Sequence, residues 1–71
     1  MSTILAQFGR RLRKARLAKG WSQEELAFRA RLHRNYIGGL ERGEQNPTLV
    51  TIHRLTKALG IRLADAIRGI S

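Results

Sequence analysis

Few side chains in this sequence could do acid–base, nucleophilic or metal chemistry, and those few are scattered. His33 and His53 have no further ligands gathered at metal-binding spacing, Asp65 is the sole aspartate, and no glycine-rich phosphate loop follows a strand. With no cysteine there are no disulfides and no thiolate metal sites. Cations are what the chain has in number: 14 Lys and Arg against 5 Asp and Glu leave a formal net charge of +9 over 71 residues. That balance does the chemistry of holding anions, by long-range attraction and counterion release. A chain this short buries only about 60% of the surface its unfolded form exposes, too little for a deep cleft with a supporting shell. Binding is expected rather than catalysis, with no metal and no cofactor.

A folded domain must position those cations, and the patterning is helical. The apolar fraction of 42% is ordinary, and apolar and charged residues interleave throughout, which argues against disorder. Leu5, Phe8, Leu12 and Ala15 recur at steps of three and four from Leu5 to Lys19, with Gly20 as the stop. Arg10, Arg11, Arg13, Lys14 and Lys19 fall mainly off that face and predict a basic outer surface. Ser22-Gln23-Glu24-Glu25 has the form of a capping box and opens a second helix with a narrow stripe of Leu26, Ala27 and Ala30. Periodicity resumes after Arg31-Leu32 with Tyr36, Ile37 and Leu40, and Gly43 is placed to end that helix before the loop 44–47.

Thr48 caps a further helix carrying Leu49, Ile52, Leu55, Thr56 and Leu59, ended by Gly60, and a last short helix fits Leu63 to Arg68. Trp21 and Phe28 read as packing residues. No window alternates as a strand would, so the expected fold class is all-α: a compact bundle of about five short helices forming one domain over 1–71. The start Met1-Ser2-Thr3-Ile4-Leu5 lacks the apolar run of a signal peptide, and no segment approaches a membrane span, so a cytoplasmic protein without a membrane partner is expected.

Ser22 to Gly43, SQEELAFRARLHRNYIGGLERG, puts the small Ala27 where two helices must approach closely. Leu26, Ala30, Ile37 and Leu40 are spaced to share one core, which leaves the exposed face of the second helix free. With FGRRLRKARLAKGWSQ before it and NPTLVTIHRLTKALG after it, the stretch resembles the Cro and C1 repressor type helix-turn-helix family, also called the XRE family, over nearly the whole chain. FGRRLRKAR, Gly38-Gly39 and LERG look most like the small controller proteins of restriction-modification systems. Two positions depart from the family pattern: Arg31 stands in the inter-helix turn where glycine is commonest, and His33 at an N-cap where serine, threonine or aspartate is usual.

The resemblance implies a lambda-repressor-like domain that binds double-stranded DNA and regulates transcription. Base reading would fall on Arg34, Asn35 and Tyr36, with Gly39 one turn further on. An arginine can grip guanine O6 and N7, an asparagine adenine, and a tyrosine a phosphate or a thymine methyl. Phosphate contacts would come from Gln23, His33, Arg42, Asn46 and Thr48. Arg16 and Glu41 would form a partly buried structural pair. Gly38 and Gly39 each cost roughly 1 kcal/mol in a helix relative to alanine, offset either by close approach to DNA or by close helix packing.

Ile61, Leu63, Ala64, Ile67 and Ile70 crowd apolar surface into 61–71, where a homodimer interface is the natural use. Isologous pairing would set two recognition helices about 34 Å apart and call for an inverted-repeat operator. An antitoxin-type repressor that also binds a toxin is the alternative, and no small-molecule effector is evident.

Overall fold

The computed structural model describes residues 3–71; Met1 and Ser2, read above for a leader, lie outside the described residues. Its elements are α1 (Thr3–Ala18), α2 (Gln23–Ala30), α3 (Arg34–Glu41), α4 (Leu49–Leu59) and α5 (Leu63–Ile67). The stops are local. Gly20, Gly43 and Gly60 take φ of 75°, 75° and 72°, the left-handed conformation that reverses the chain at a helix end and that glycine adopts without a Cβ clash. The starts are local too: the Ser22 hydroxyl accepts from Glu25 N at 3.0 Å and the Thr48 hydroxyl from Thr51 N at 3.1 Å. α5 stops one residue short of the expected Arg68, whose backbone is extended.

Leu26, Ile37, Leu40, Leu55 and Leu59 are fully buried at the centre, joined by Phe8, Leu12, Ala27, Ala30 and Ala66. Burying each of the five large aliphatic side chains contributes roughly 1.5–3 kcal/mol. α1 packs on α3, α2 lies between α3 and α4, and α5 bridges α1 and α4. Gly9 permits the first contact: a Cβ there would fall 2.7 Å from the Glu41 carbonyl oxygen, so α1 touches the last turn of α3 backbone to backbone.

Three side chains, Phe28, Leu49 and Arg11, depart from the periodic reading, while Trp21 packs as expected. Phe28 is 80% exposed, because at about 100° per residue it points nearly opposite Leu26 on α2; it does not pack. Trp21 is half-buried against the core, with the Arg29 guanidinium 4.2 Å from its ring centroid, a cation–π contact. Leu49 is 68% exposed, since it lies in the first turn of α4 ahead of the part that meets α2. Arg11 belongs to the brace and not to the outer basic surface: its Nη1 donates to the Asp65 carbonyl at 3.2 Å and to that of Arg68, tying α5 to α1. Gln7 Nε2 adds a bond to the Ser71 carbonyl at 3.0 Å.

Candidate nucleic-acid interface

The turn between α2 and α3 is closed by backbone bonds from Leu32 N to Ala27 O at 2.8 Å and from Arg31 N to Phe28 O at 3.3 Å. Arg31 sits in the left-handed region at φ 59°, ψ 45°, so the unusual residue takes the conformation that a glycine would take there. At the next boundary, the His33 side chain accepts from Asn35 N through Nδ1 at 3.1 Å. A histidine thus does the work of the usual serine or aspartate at this cap. His33 is exposed beside Arg34, Phe28 and Glu24.

Arg34 and Asn35 are exposed in the first turn of α3, and Arg42 is exposed just past its end. Arg34, Gly38 and Arg42 succeed one another at four-residue steps, which lines them along one edge of the helix. With Gln23 and Asn35 they line a shallow depression. Gly38 keeps it open: a Cβ there would lie 3.0 Å from Arg42 Nη1 and 3.4 Å from Gln23 Oε1. Two side chains thus meet over the helix backbone at Gly38.

Exposed acids lightly hold the two arginines. Arg42 Nε is 3.0 Å from Glu44 Oε1, and Arg34 Nη1 is 3.7 Å from Glu24 Oε2. Such exposed pairs are worth about 0–1 kcal/mol and are easily exchanged for a stronger anion. A second depression, at the far end of α2, is lined by Arg29, Arg31, Arg54 and Lys57 and adds to the positive field.

Behind the depression lies a buried polar cluster. Arg16 Nε donates to Glu41 Oε2 at 2.6 Å and Nη2 to Oε1 at 3.0 Å, while Nη1 donates to the Trp21 carbonyl at 2.6 Å. The hydrogen bond to Glu41 raises the Arg16 pKa more than burial lowers it. Gln23 Nε2 also donates to Glu41 Oε1, at 3.1 Å, so this side chain is tied inward instead of pointing outward as expected. The sequence offered no signal for that link.

The remaining expected residues are spread more widely. Tyr36 is half-buried with its ring against the core. Gly39 is buried beneath Gln45: a Cβ there would fall 2.9 Å from Gln45 Cγ. Gln45, not Gly39, is thus the exposed group at that place. Asn46 borders an apolar groove with Ile4, Leu5, Pro47, Ile52, Ile67 and Ile70, away from the depression. The Thr48 hydroxyl is occupied by the α4 cap and donates to Thr51 Oγ1 at 3.1 Å.

At the chain end, Ile67 is 47% exposed and Ala64 is exposed, whereas Leu63 is half-buried and Ile61 and Ile70 pack against the core. Ile61 and Ile70 thus close the monomer in the first place. Among the described residues no helix is long and apolar enough to cross a membrane.

The helix-turn-helix family pattern matches residues 12–65. Control protein C.BamHI of Bacillus amyloliquefaciens is 46% identical over 67 residues, spanning 93% of this chain and 83% of that protein. Control protein C.MunI of a Mycoplasma species is 35% identical over 71 residues, spanning 99% and 96%. The crystal structure of the restriction-modification controller protein C.AhdI from Aeromonas hydrophila is similar with a TM-score of 0.86 at 52% identity, over 87% of this chain and 94% of that one. The chain belongs to the Cro/C1-type helix-turn-helix family of DNA-binding transcriptional regulators, alongside the restriction-modification controller proteins.

Proposed function

We propose that this regulator reads an inverted-repeat operator in double-stranded DNA as a homodimer and serves as the controller of a restriction-modification system. The observation that carries the reading is the depression on α3, where Arg34, Asn35 and Arg42 stand exposed around a bare Gly38. Arg34 and Asn35 have the donors and acceptors for base edges, and Arg42 and the exposed His33 have the chemistry for flanking phosphates. Tyr36, half core and half surface, offers its hydroxyl end.

The apolar groove supports the dimer. Ile4 and Ile67, 51% and 47% exposed, line it, and Leu49 and Val50 stand exposed in the adjoining first turn of α4. A two-fold contact there would remove these side chains from water and fix the spacing of the two α3 helices. The reading assigns the chain a cytoplasmic place and no catalytic step.

Sedimentation of the protein with and without a symmetric duplex, combined with a salt titration of affinity, tests this. Two protomers per duplex are expected, with log affinity falling by about 0.9 per phosphate neutralised for each unit of log salt. A single protomer on the duplex, or affinity indifferent to salt, would contradict it.

A further inference from the structure

We propose that Gln45 is a specificity-determining residue, reading a base edge from the place on α3 that Gly39 leaves vacant. The proposal rests on the DNA-binding reading above. Asn35 and Gly39 are four residues apart on α3 and so share one face, a turn apart. At Gly39 that face has no side chain of its own. The Gln45 side chain lies there instead, its Cγ 2.9 Å and its Nε2 3.5 Å from where a Cβ on Gly39 would stand.

The backbone brings Gln45 to that place. Gly43, at φ 75°, turns the chain back at the end of α3, with Gly43 N bonded to Leu40 O at 3.1 Å and Glu44 N to Gly39 O at 2.9 Å. The residue after Glu44 is thereby laid over the last turn of the helix. A side chain at 39 and one at 45 would compete for the same space, and the glycine resolves the competition in favour of the loop residue.

The two glutamines flanking α3 differ in what their amides are free to do. Gln23 is held inward by Glu41, whereas Gln45 is exposed and, among the described residues, its amide makes no hydrogen bond. A glutamine amide offers one donor and one acceptor side by side, the pattern that meets adenine N6 and N7 in the major groove. Being neutral, it displaces no counterion, so its contribution depends on sequence and not on salt.

The test uses the full chain and a duplex selected by it from a random pool, with each base pair of a half-site replaced in turn and affinity measured at two salt concentrations. Gln45→Ala is expected to abolish the preference at one base pair per half-site, worth about tenfold in affinity, with the salt slope and melting temperature unchanged. Gly39→Ala, whose methyl group would displace the Gln45 stem, is expected to produce the same loss, and no further loss in a Gln45→Ala background.

Uniform weakening across all sequences with a shallower salt slope would make Gln45 a phosphate contact and overturn the proposal, as would preferences intact at every position. An undiminished effect of Gly39→Ala in the Gln45→Ala background would mean that DNA approaches Gly39 itself, and overturns it too. If the unaltered protein enriches no duplex, the DNA-binding reading falls first and the proposal with it.

Discussion

Gln23 Nε2 donates to Glu41 Oε1 over 3.1 Å, so a side chain at the rim of the depression on α3 is held by the carboxylate that braces the core. A carboxylate paired with a guanidinium offers acceptors only, which turns the Gln23 amide nitrogen inward and its carbonyl oxygen toward Gly38. Core stability and the shape of the depression meet in that bond.

Glu41→Ala would leave the Arg16 guanidinium buried without its partner, at a cost of about 3–5 kcal/mol. For a domain of this size the melting temperature should fall by more than about 10 °C. Thermal denaturation followed by circular dichroism measures this. An unchanged melting temperature with DNA binding lost would instead assign Glu41 to the interface alone.

Arg34→Ala and Arg42→Ala should weaken binding in different ways. The first is expected to cost about 1–3 kcal/mol and to relax the preference at one base pair; the second, to weaken all sequences alike and reduce the salt slope by about 1. Affinities for a panel of single-base operator variants at several salt concentrations separate the two. The same pattern for both variants would contradict the assignment of roles.

Arg31 holds a left-handed conformation that costs a residue with a Cβ about 1–2 kcal/mol, and it shares its depression with Arg29, Arg54 and Lys57. Arg31→Gly relieves strain and like-charge repulsion together, partly offset by the greater freedom of glycine in the unfolded chain. A rise of a few tenths to about 1 kcal/mol in a urea melt is expected. A loss of stability would show that the Arg31 side chain supports the turn.

Asp65 lies 3.2 Å from Arg62 Nε and 2.9 Å from Arg68 Nη2, and the hydrogen bond from Arg62 holds its carboxyl below the usual range. A depressed carboxylate contributes stability that is present above the unfolded value of about 3.9 and is lost as pH falls through the lower folded value. Asp65→Asn should therefore lower the melting temperature slightly at pH 7, and the difference should shrink as pH falls below the usual carboxylate range. Because the pair is exposed, added salt should shrink the effect. A difference that persists at the acid end would point to a role other than charge.

The helix boundaries were legible because their signals are local. Ser22 and Thr48 cap the helices they precede, and Gly20, Gly43 and Gly60 end theirs through backbone conformations that no neighbour needs to impose. What escaped the sequence depends on which helix lies beside which. Phe28 is apolar yet exposed because α2 is covered only along Leu26, Ala27 and Ala30. Arg11 braces α5 because α5 happens to end within its reach. Gly39 and Gln45 are six residues apart, and only the fold of the loop shows that they occupy one place. Gly9 carried no sign of the α1–α3 approach it permits, since a glycine within a helix could equally have marked a kink.

The most direct test of the central claim is selection of bound duplexes from a random pool at physiological salt, followed by sequencing of those retained. The account expects an enriched inverted repeat with half-sites one helical turn apart or a multiple of it, and loss of enrichment at a half-site base pair with Arg34→Ala. Salt-sensitive retention without any enriched sequence would contradict it, leaving a basic surface that attracts DNA but does not read it.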